Sequence, residues 1–146
     1  MTELPTIPET GGLLMWGQEG EYSAYDDRTV ITALTATRTG VIRAATFNAR
    51  DGLTIETDPG WLAAVPCGDD TNAVAGSRQV SVIAALPGDP AVSRQDVIWL
   101  DVFPDEGRWA LGVLQEAETA GRPGLALGSI TVPPGATAAN QMVITA

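Results

Sequence analysis

The stretch QDVIWLDVFPDEGRWALGVLQ, residues 95–115, decides the fold class. Its two halves, 96–103 and 108–114, are nearly continuous in β-branched, aromatic and aliphatic residues, which suit a packed, pleated surface. Between them stand Pro104, Asp105, Glu106 and Gly107. Pro presets φ for the first corner of a turn, Asp can bond its own backbone, and Gly accepts a positive φ at the exit. A hairpin that pairs Phe103 with Arg108 sets Val102 opposite Trp109, Leu100 opposite Leu111 and Ile98 opposite Val113. That register predicts one face of six apolar residues without a polar interruption. The other face carries Val97, Trp99, Asp101, Phe103, Arg108, Ala110, Gly112 and Leu114, with Trp99 lying over Gly112. The first face is core, and the second is half-exposed or covered by a partner. A one-residue slip would move the pairs and leave both strands largely apolar.

Outward from this hairpin, strand signals recur at short intervals. Residues 41–47 and 53–57 flank a turn at 48–52 whose Asp51-Gly52 is a hairpin signal. Asp58-Pro59-Gly60 leads into 61–65, CGDDTN (67–72) forms another turn before 73–75, and 79–85 is ended by LPGDP (86–90). After a polar linker at 116–123, residues 124–132 alternate Leu125, Leu127 and Ile130 and are stopped by Pro133-Pro134-Gly135. Residues 141–145 close the sheet. Eight or nine short strands separated by turns predict a mainly β protein. The expected architecture is an antiparallel sandwich or barrel forming a single domain over 25–146.

Two segments precede it. In 26–37, Val30, Ala33, Leu34 and Thr37 share one helical face behind an Asp26 or Asp27 N-cap, while the wealth of Val, Ile and Thr favours a strand. We expect a short helix. In 1–24, Pro5 and Pro8 favour an extended N-terminal arm. Its apolar patch, Leu13, Leu14, Met15 and Trp16, either packs back on its own core or docks onto a neighbouring subunit with Trp16 as anchor.

Composition narrows the function classes. The 146 residues are enough for one domain with one sizeable core, and 45% apolar against 18% charged is a globular balance. All eight basic residues are Arg, and the net charge is −10. An acidic chain without basic runs is poorly suited to nucleic acid or to an anionic membrane. No histidine is present, so the commonest general base and metal ligand are missing. The single cysteine, Cys67, excludes an intrachain disulfide and a cysteine-cluster zinc site, and reads as a small buried or half-buried residue. The N-terminal residues lack the pattern of a signal peptide, and no stretch has the ~20 apolar residues of a spanning helix. The chain is expected to be made in a cytoplasm.

The candidate chemistry is thin. Asp69-Asp70, with Asp58 nearby, has neither EF-hand spacing nor more than ordinary turn character. Asp101, Asp105 and Glu106 sit on or beside one hairpin, with nothing to mark the cleft that a pair of glycosidase carboxylates requires. Of the four Trp residues (16, 61, 99 and 109), Trp109 points into the inferred core, leaving Trp99 and Trp16 as surface aromatics for a partner or a sugar. We expect no catalytic residues, no metal, no cofactor and no enzymatic activity.

Two segments, 22–65 and 93–142, resemble a group of tail and baseplate proteins from phages of actinobacteria, including minor tail proteins and baseplate-upper-protein-like chains. The resemblance rests on Pro59-Gly60-Trp61 after an alternating strand, on Arg94-Gln95-Asp96 before an apolar strand, and on Val132-Pro133-Pro134-Gly135-Ala136-Thr137 after the last long one. It covers roughly four-fifths of the chain, and its motifs are structural rather than catalytic. It implies a structural subunit of a virion tail, baseplate or adsorption apparatus, or of a related injection system or tailocin. Family members often continue into a fibre or receptor-binding region. This chain ends soon after the last motif, so an adaptor, collar or capping role is expected. A homotrimer is the expected assembly, with Leu13, Leu14, Met15, Trp16, Trp99 and Phe103 at the interface and Pro59, Gly60, Trp61, Arg94, Asp96, Pro104 and Gly107 as structural motif residues. Other tail proteins are the expected partners. A carbohydrate-binding module that adsorbs to host cell-wall glycan is the alternative.

Overall fold

The computed structural model describes Arg28, Thr32, Leu34 and residues 39–67 and 70–146. The described residues form ten strands: β1 (Gly40–Arg43), β2 (Phe47–Ala49), β3 (Thr54–Thr57), β4 (Leu62–Pro66), β5 (Asn72–Gly76), β6 (Ser81–Ala84), β7 (Arg94–Phe103), β8 (Arg108–Gln115), β9 (Leu125–Val132) and β10 (Val143–Thr145). They assemble into three antiparallel sheets with strand orders β1-β4-β5, β2-β3-β6 and β10-β9-β7-β8. The chain is mainly β, with a sandwich-like arrangement of sheets around a shared core.

The β7–β8 hairpin has the expected register: Phe103 pairs with Arg108, Val102 with Trp109, Leu100 with Leu111 and Ile98 with Val113. A single 3-10 turn, Pro104–Glu106, makes the reversal, and Gly107 exits it at φ 64°. That is the left-handed region where a Cβ is unfavourable, so glycine belongs there. Ile98 and Leu100 are fully buried, while Val102, Trp109, Leu111 and Val113 pack against the core from its margin. β9 pairs on the other side of β7, and a bulge at Ile98/Trp99 shifts its register. β10 then closes the outer edge of β9, with Ile144 opposite Ile130.

All three sheets feed one core. Ala63, Val65 and Ala75 come from the first, Ile55 and Ile83 from the second, and Ile98, Leu100, Leu127, Ile130 and Val132 from the third. Trp61 joins them at 1% exposure, and its ring meets that of Trp109 edge-on at 5.1 Å and 77°. This contact ties the residue before β4 to the first turn-side residues of β8.

The first strand differs from expectation. Residues 41–47 are two strands, not one: β1 pairs with β4, and β2 forms the hairpin with β3. The register of β1 slips between Val41 and Arg43, and Ala45, 5% exposed, enters the core between the strands. That buried alanine is where the chain changes sheets. The reversal after β2 lies at the anticipated Asp51-Gly52, with Gly52 at φ 61° and Arg50 N–H donating to the Thr54 carbonyl at 2.8 Å.

Arg28, Thr32 and Leu34 have helical backbone, and the rest of the expected helix at 26–37 lies outside the described residues. Of the expected apolar face, Val30, Ala33 and Thr37 lie outside the described residues. Leu34, however, is 67% exposed, whereas Arg28 and Thr32 are buried. Polar pinning explains the reversal. Thr32 Oγ1 donates to the Arg28 carbonyl at 2.6 Å and accepts from Asn72 N–H at 2.7 Å, and Arg28 Nε donates to Thr71 Oγ1 at 3.1 Å. The expected arm at 1–24, with Leu13, Leu14, Met15 and Trp16, also lies outside the described residues.

Candidate functional site

Three places carry the residues that the sequence marked out, and they differ in kind. The first is a polar knot. Asp96 lies on the inward face of β7 at 1% exposure, and Arg94, two residues earlier on the same face, grips both its oxygens with one side of the guanidinium. Arg94 Nε meets Asp96 Oδ1 at 2.7 Å, Nη2 meets Oδ2 at 2.8 Å, and Nη2 also donates to the Pro87 carbonyl at 3.0 Å. The bond to Asp96 holds the Arg94 guanidinium above its ordinary pKa. The loop that contains Pro87 is laced in turn to the 132–137 stretch. Gly88 N–H donates to the Ala136 carbonyl at 2.8 Å, and Gly135 N–H donates to the Asp89 carbonyl at 2.7 Å. Gly88 is required here, since a Cβ would stand 2.5 Å from Ala136 N and 2.7 Å from the Pro133 carbonyl. Asp89 Oδ1 accepts the N–H groups of Ala91 and Val92, and these bonds hold its carboxyl below the ordinary range. Arg94, Asp96 and the Pro-Pro-Gly stretch thus meet in one place, as architecture rather than chemistry.

The second place is the outward face of β7–β8. Val97, Trp99, Phe103, Ala110 and Leu114 are all half-buried within a single chain. Trp99 stands opposite Gly112, and its indole N–H donates to the Pro123 carbonyl at 3.2 Å, which fixes the ring across the 121–124 loop. Gly124, at φ 127°, leaves the space that the ring occupies. Beside it lies a hollow of about 110 Å³ bordered by Asp101 and Arg122, which pair at 3.0 Å. At the hairpin tip the Arg108 guanidinium lies 3.9 Å from the centre of the Phe103 ring. The two Trp residues of this sheet therefore divide as expected, Trp109 inward and Trp99 outward.

The third place was not foreseen. Pro59 and Gly60 form the turn before Trp61, with Gly60 at φ 100° and its N–H bonded to the Ser77 carbonyl at 2.8 Å. This turn and the end of β5 enclose a cleft of about 630 Å³ lined by Arg43, Leu62, Val74 and Arg78 among others. No sequence motif pointed to Arg43 or Arg78, which are 35 residues apart and converge only through the β1-β4-β5 order.

The remaining candidates are turn and packing residues. Cys67 is half-buried, and its thiol donates to the Val65 carbonyl at 3.7 Å. Its N–H donates to the Thr71 carbonyl at 2.9 Å, and Asp70 between them takes φ 61°, so this is a tight turn. Asp69 lies outside the described residues. Among the described residues no three His, Cys, Asp or Glu side chains gather in one place, and no helix is long and apolar enough to cross a membrane. Comparison with family models, with curated proteins and with solved structures finds no match for this chain.

Proposed function

We propose that this chain is a non-enzymatic structural subunit of a phage tail, baseplate or phage-like particle that self-associates, as a homotrimer, and attaches tail-tip or fibre components. One observation carries the self-association: the outward face of β7–β8 presents Val97, Trp99, Phe103, Ala110 and Leu114 as a half-buried, largely apolar surface on a strand pair whose inward face is already core. Sheets with one packed face commonly solvate the other, so an apolar second face is suited to a partner. The resemblance of 59–61, 94–96 and 132–137 to tail and baseplate proteins supports the particle, and two of these three motifs meet in the Arg94–Asp96 knot, a rigid frame for an assembling subunit. The arm at 1–24 supplies the second contact, with Trp16 as anchor. Such a subunit is made in the host cytoplasm and resides in the virion. Deletion of residues 1–20 tests the arm: the truncated chain is expected to keep its circular dichroism and lose its oligomer. An unfolded truncation would remove this part of the proposal.

A second reading, adsorption to cell-wall glycan, draws on the hollow beside Trp99, where an indole ring adjoins the Asp101–Arg122 pair. Sugars stack on aromatic faces and bond to such polar rims. It predicts that Trp fluorescence shifts with wall polysaccharide, and that Trp99→Ala removes the shift while stability stays near that of the parent.

A further inference from the structure

The charge pairing of the described arginines is uneven. Arg50, Arg94, Arg108 and Arg122 each bond a carboxylate of the same chain, at 2.7–3.0 Å. Arg43 and Arg78 have no carboxylate partner among the described residues, and both line the cleft beside Pro59 and Gly60. In a chain with 18 acids against eight Arg, arginines that bond no described carboxylate stand out. That two of them share one cleft defines a positive site on an acidic protein.

Geometry sets the span of a ligand. Arg43 stands opposite Leu62, and Leu62 opposite Gly76, so the three make one cross-strand row. Arg78 follows Gly76 by two residues. Two strand spacings place the backbones of Arg43 and Gly76 about 10 Å apart, and both long side chains can lean towards a ligand between them. Leu62, Val74 and Pro59 contribute aliphatic surface between the two charges, and Val74 is 40% exposed. Trp61 lines the same cleft but is 1% exposed, so it offers no open ring for a sugar to stack on. A cation at each side of an aliphatic centre, without an aromatic platform, matches an extended peptide whose carboxylates flank an aliphatic side chain.

We propose that this cleft binds an acidic, aliphatic peptide segment of a partner protein, with Arg43 and Arg78 each taking a carboxylate and the aliphatic side chain lying on Leu62 and Val74. Guanidinium groups suit this role because they bind carboxylates with paired, charge-assisted hydrogen bonds. The site lies on a different sheet from the outward face of β7–β8, so it does not depend on self-association through that face.

Fluorescence anisotropy with a labelled peptide of alternating Asp and Leu tests the proposal on the full chain. The Asn/Leu counterpart and an oligogalacturonate serve as the other two ligands. The Asp/Leu peptide is expected to bind, and to weaken as salt rises. Arg43→Gln and Arg78→Gln each cost about fivefold in affinity and the double variant more, as exposed charge pairs allow. Arg50→Gln, in the turn between β2 and β3, leaves binding unchanged, and melting curves confirm that each variant is folded. The proposal is overturned if the Asp/Leu peptide does not bind, if the folded double variant binds it as the parent does, or if the Asn/Leu peptide binds equally well. Tighter binding of the uronate would make the site one for acidic glycan and overturn the peptide assignment.

Discussion

β7, β8 and β9 run ten, eight and eight residues, whereas the strands of the β1-β4-β5 and β2-β3-β6 sheets run only three to five. The long sheet carries its own instructions. β7 and β8 are joined by one tight turn, and eight consecutive residue pairs repeat the same inward and outward alternation. Each short sheet includes one pairing across a gap in the chain, β1 with β4 and β3 with β6. They are held where turns and single bonds place them: Gly60 N–H to the Ser77 carbonyl, Ala85 N–H to the Leu53 carbonyl and Ala139 N–H to the Gly52 carbonyl, at 2.7–2.8 Å. Long strands define their register through many side chains at once. Short strands inherit theirs from neighbours. The contact of Trp61 with Trp109 is one of the places where the two kinds of structure are joined.

Breaking that joint is expected to have the largest effect. Trp61→Ala removes a fully buried ring and its edge contact with Trp109, and is expected to cost about 4 kcal/mol in urea unfolding. A loss below about 1 kcal/mol would mean that the short sheets are held to the long one by other contacts.

The Arg94–Asp96 knot comes next. Arg94→Ala leaves the Asp96 carboxylate buried without its cation and detaches Pro87, for an expected loss of about 3 kcal/mol. Arg50→Ala breaks an ion pair of the short β2-β3 hairpin that is open to water, with side chains 52% and 31% exposed, and is expected to cost under ~1 kcal/mol. Equal losses in the two variants would contradict the distinction between a buried clamp and a surface pair.

The smallest effect is acid dependence at the edge of the same knot. Asp89 is held below its ordinary value of 3.8 by the N–H groups of Ala91 and Val92. A carboxyl with a lowered folded pKa adds stability above its unfolded value and loses it as pH falls through the folded one. The stability gap between the parent and Asp89→Ala is therefore expected to hold from pH 7 to about pH 5 and to close below about pH 4. A gap that persists unchanged at pH 2 would show that the Asp89 side chain acts through packing and not through its charge.

The same contrast explains what could be read in advance. The β7–β8 register was legible because Pro104 and Gly107 admit one tight reversal, and because one face comprises Ile98, Leu100, Val102 and their partners. The end of β9 at Pro133 and the closing β10 were legible from punctuation. The break between β1 and β2 was not, since Ala44, Ala45 and Thr46 have nothing in their composition to end a strand. Leu34 was placed inward by helical periodicity, yet Arg28 and Thr32 occupy that side because Thr71 and Asn72 offer them hydrogen bonds. Arg94-Gln95-Asp96 and the 132–137 stretch could be noticed as separate motifs. Their meeting depends on backbone bonds joining Gly88 and Asp89 to the distant Ala136 and Gly135, and a turn signal does not name such partners. The arginine cleft was invisible for a similar reason, because only the β1-β4-β5 order unites Arg43 with Arg78.

On the proposed assembly, the apolar outward face of β7–β8 is covered by further copies of the chain. Light scattering on a sizing column, over a concentration series of the full chain, tests it most directly. A stable mass near three times the 15.2 kDa of one chain is expected, falling to the single-chain value in a folded Phe103→Asp variant. A mass of 15.2 kDa at every concentration would contradict self-association through this face.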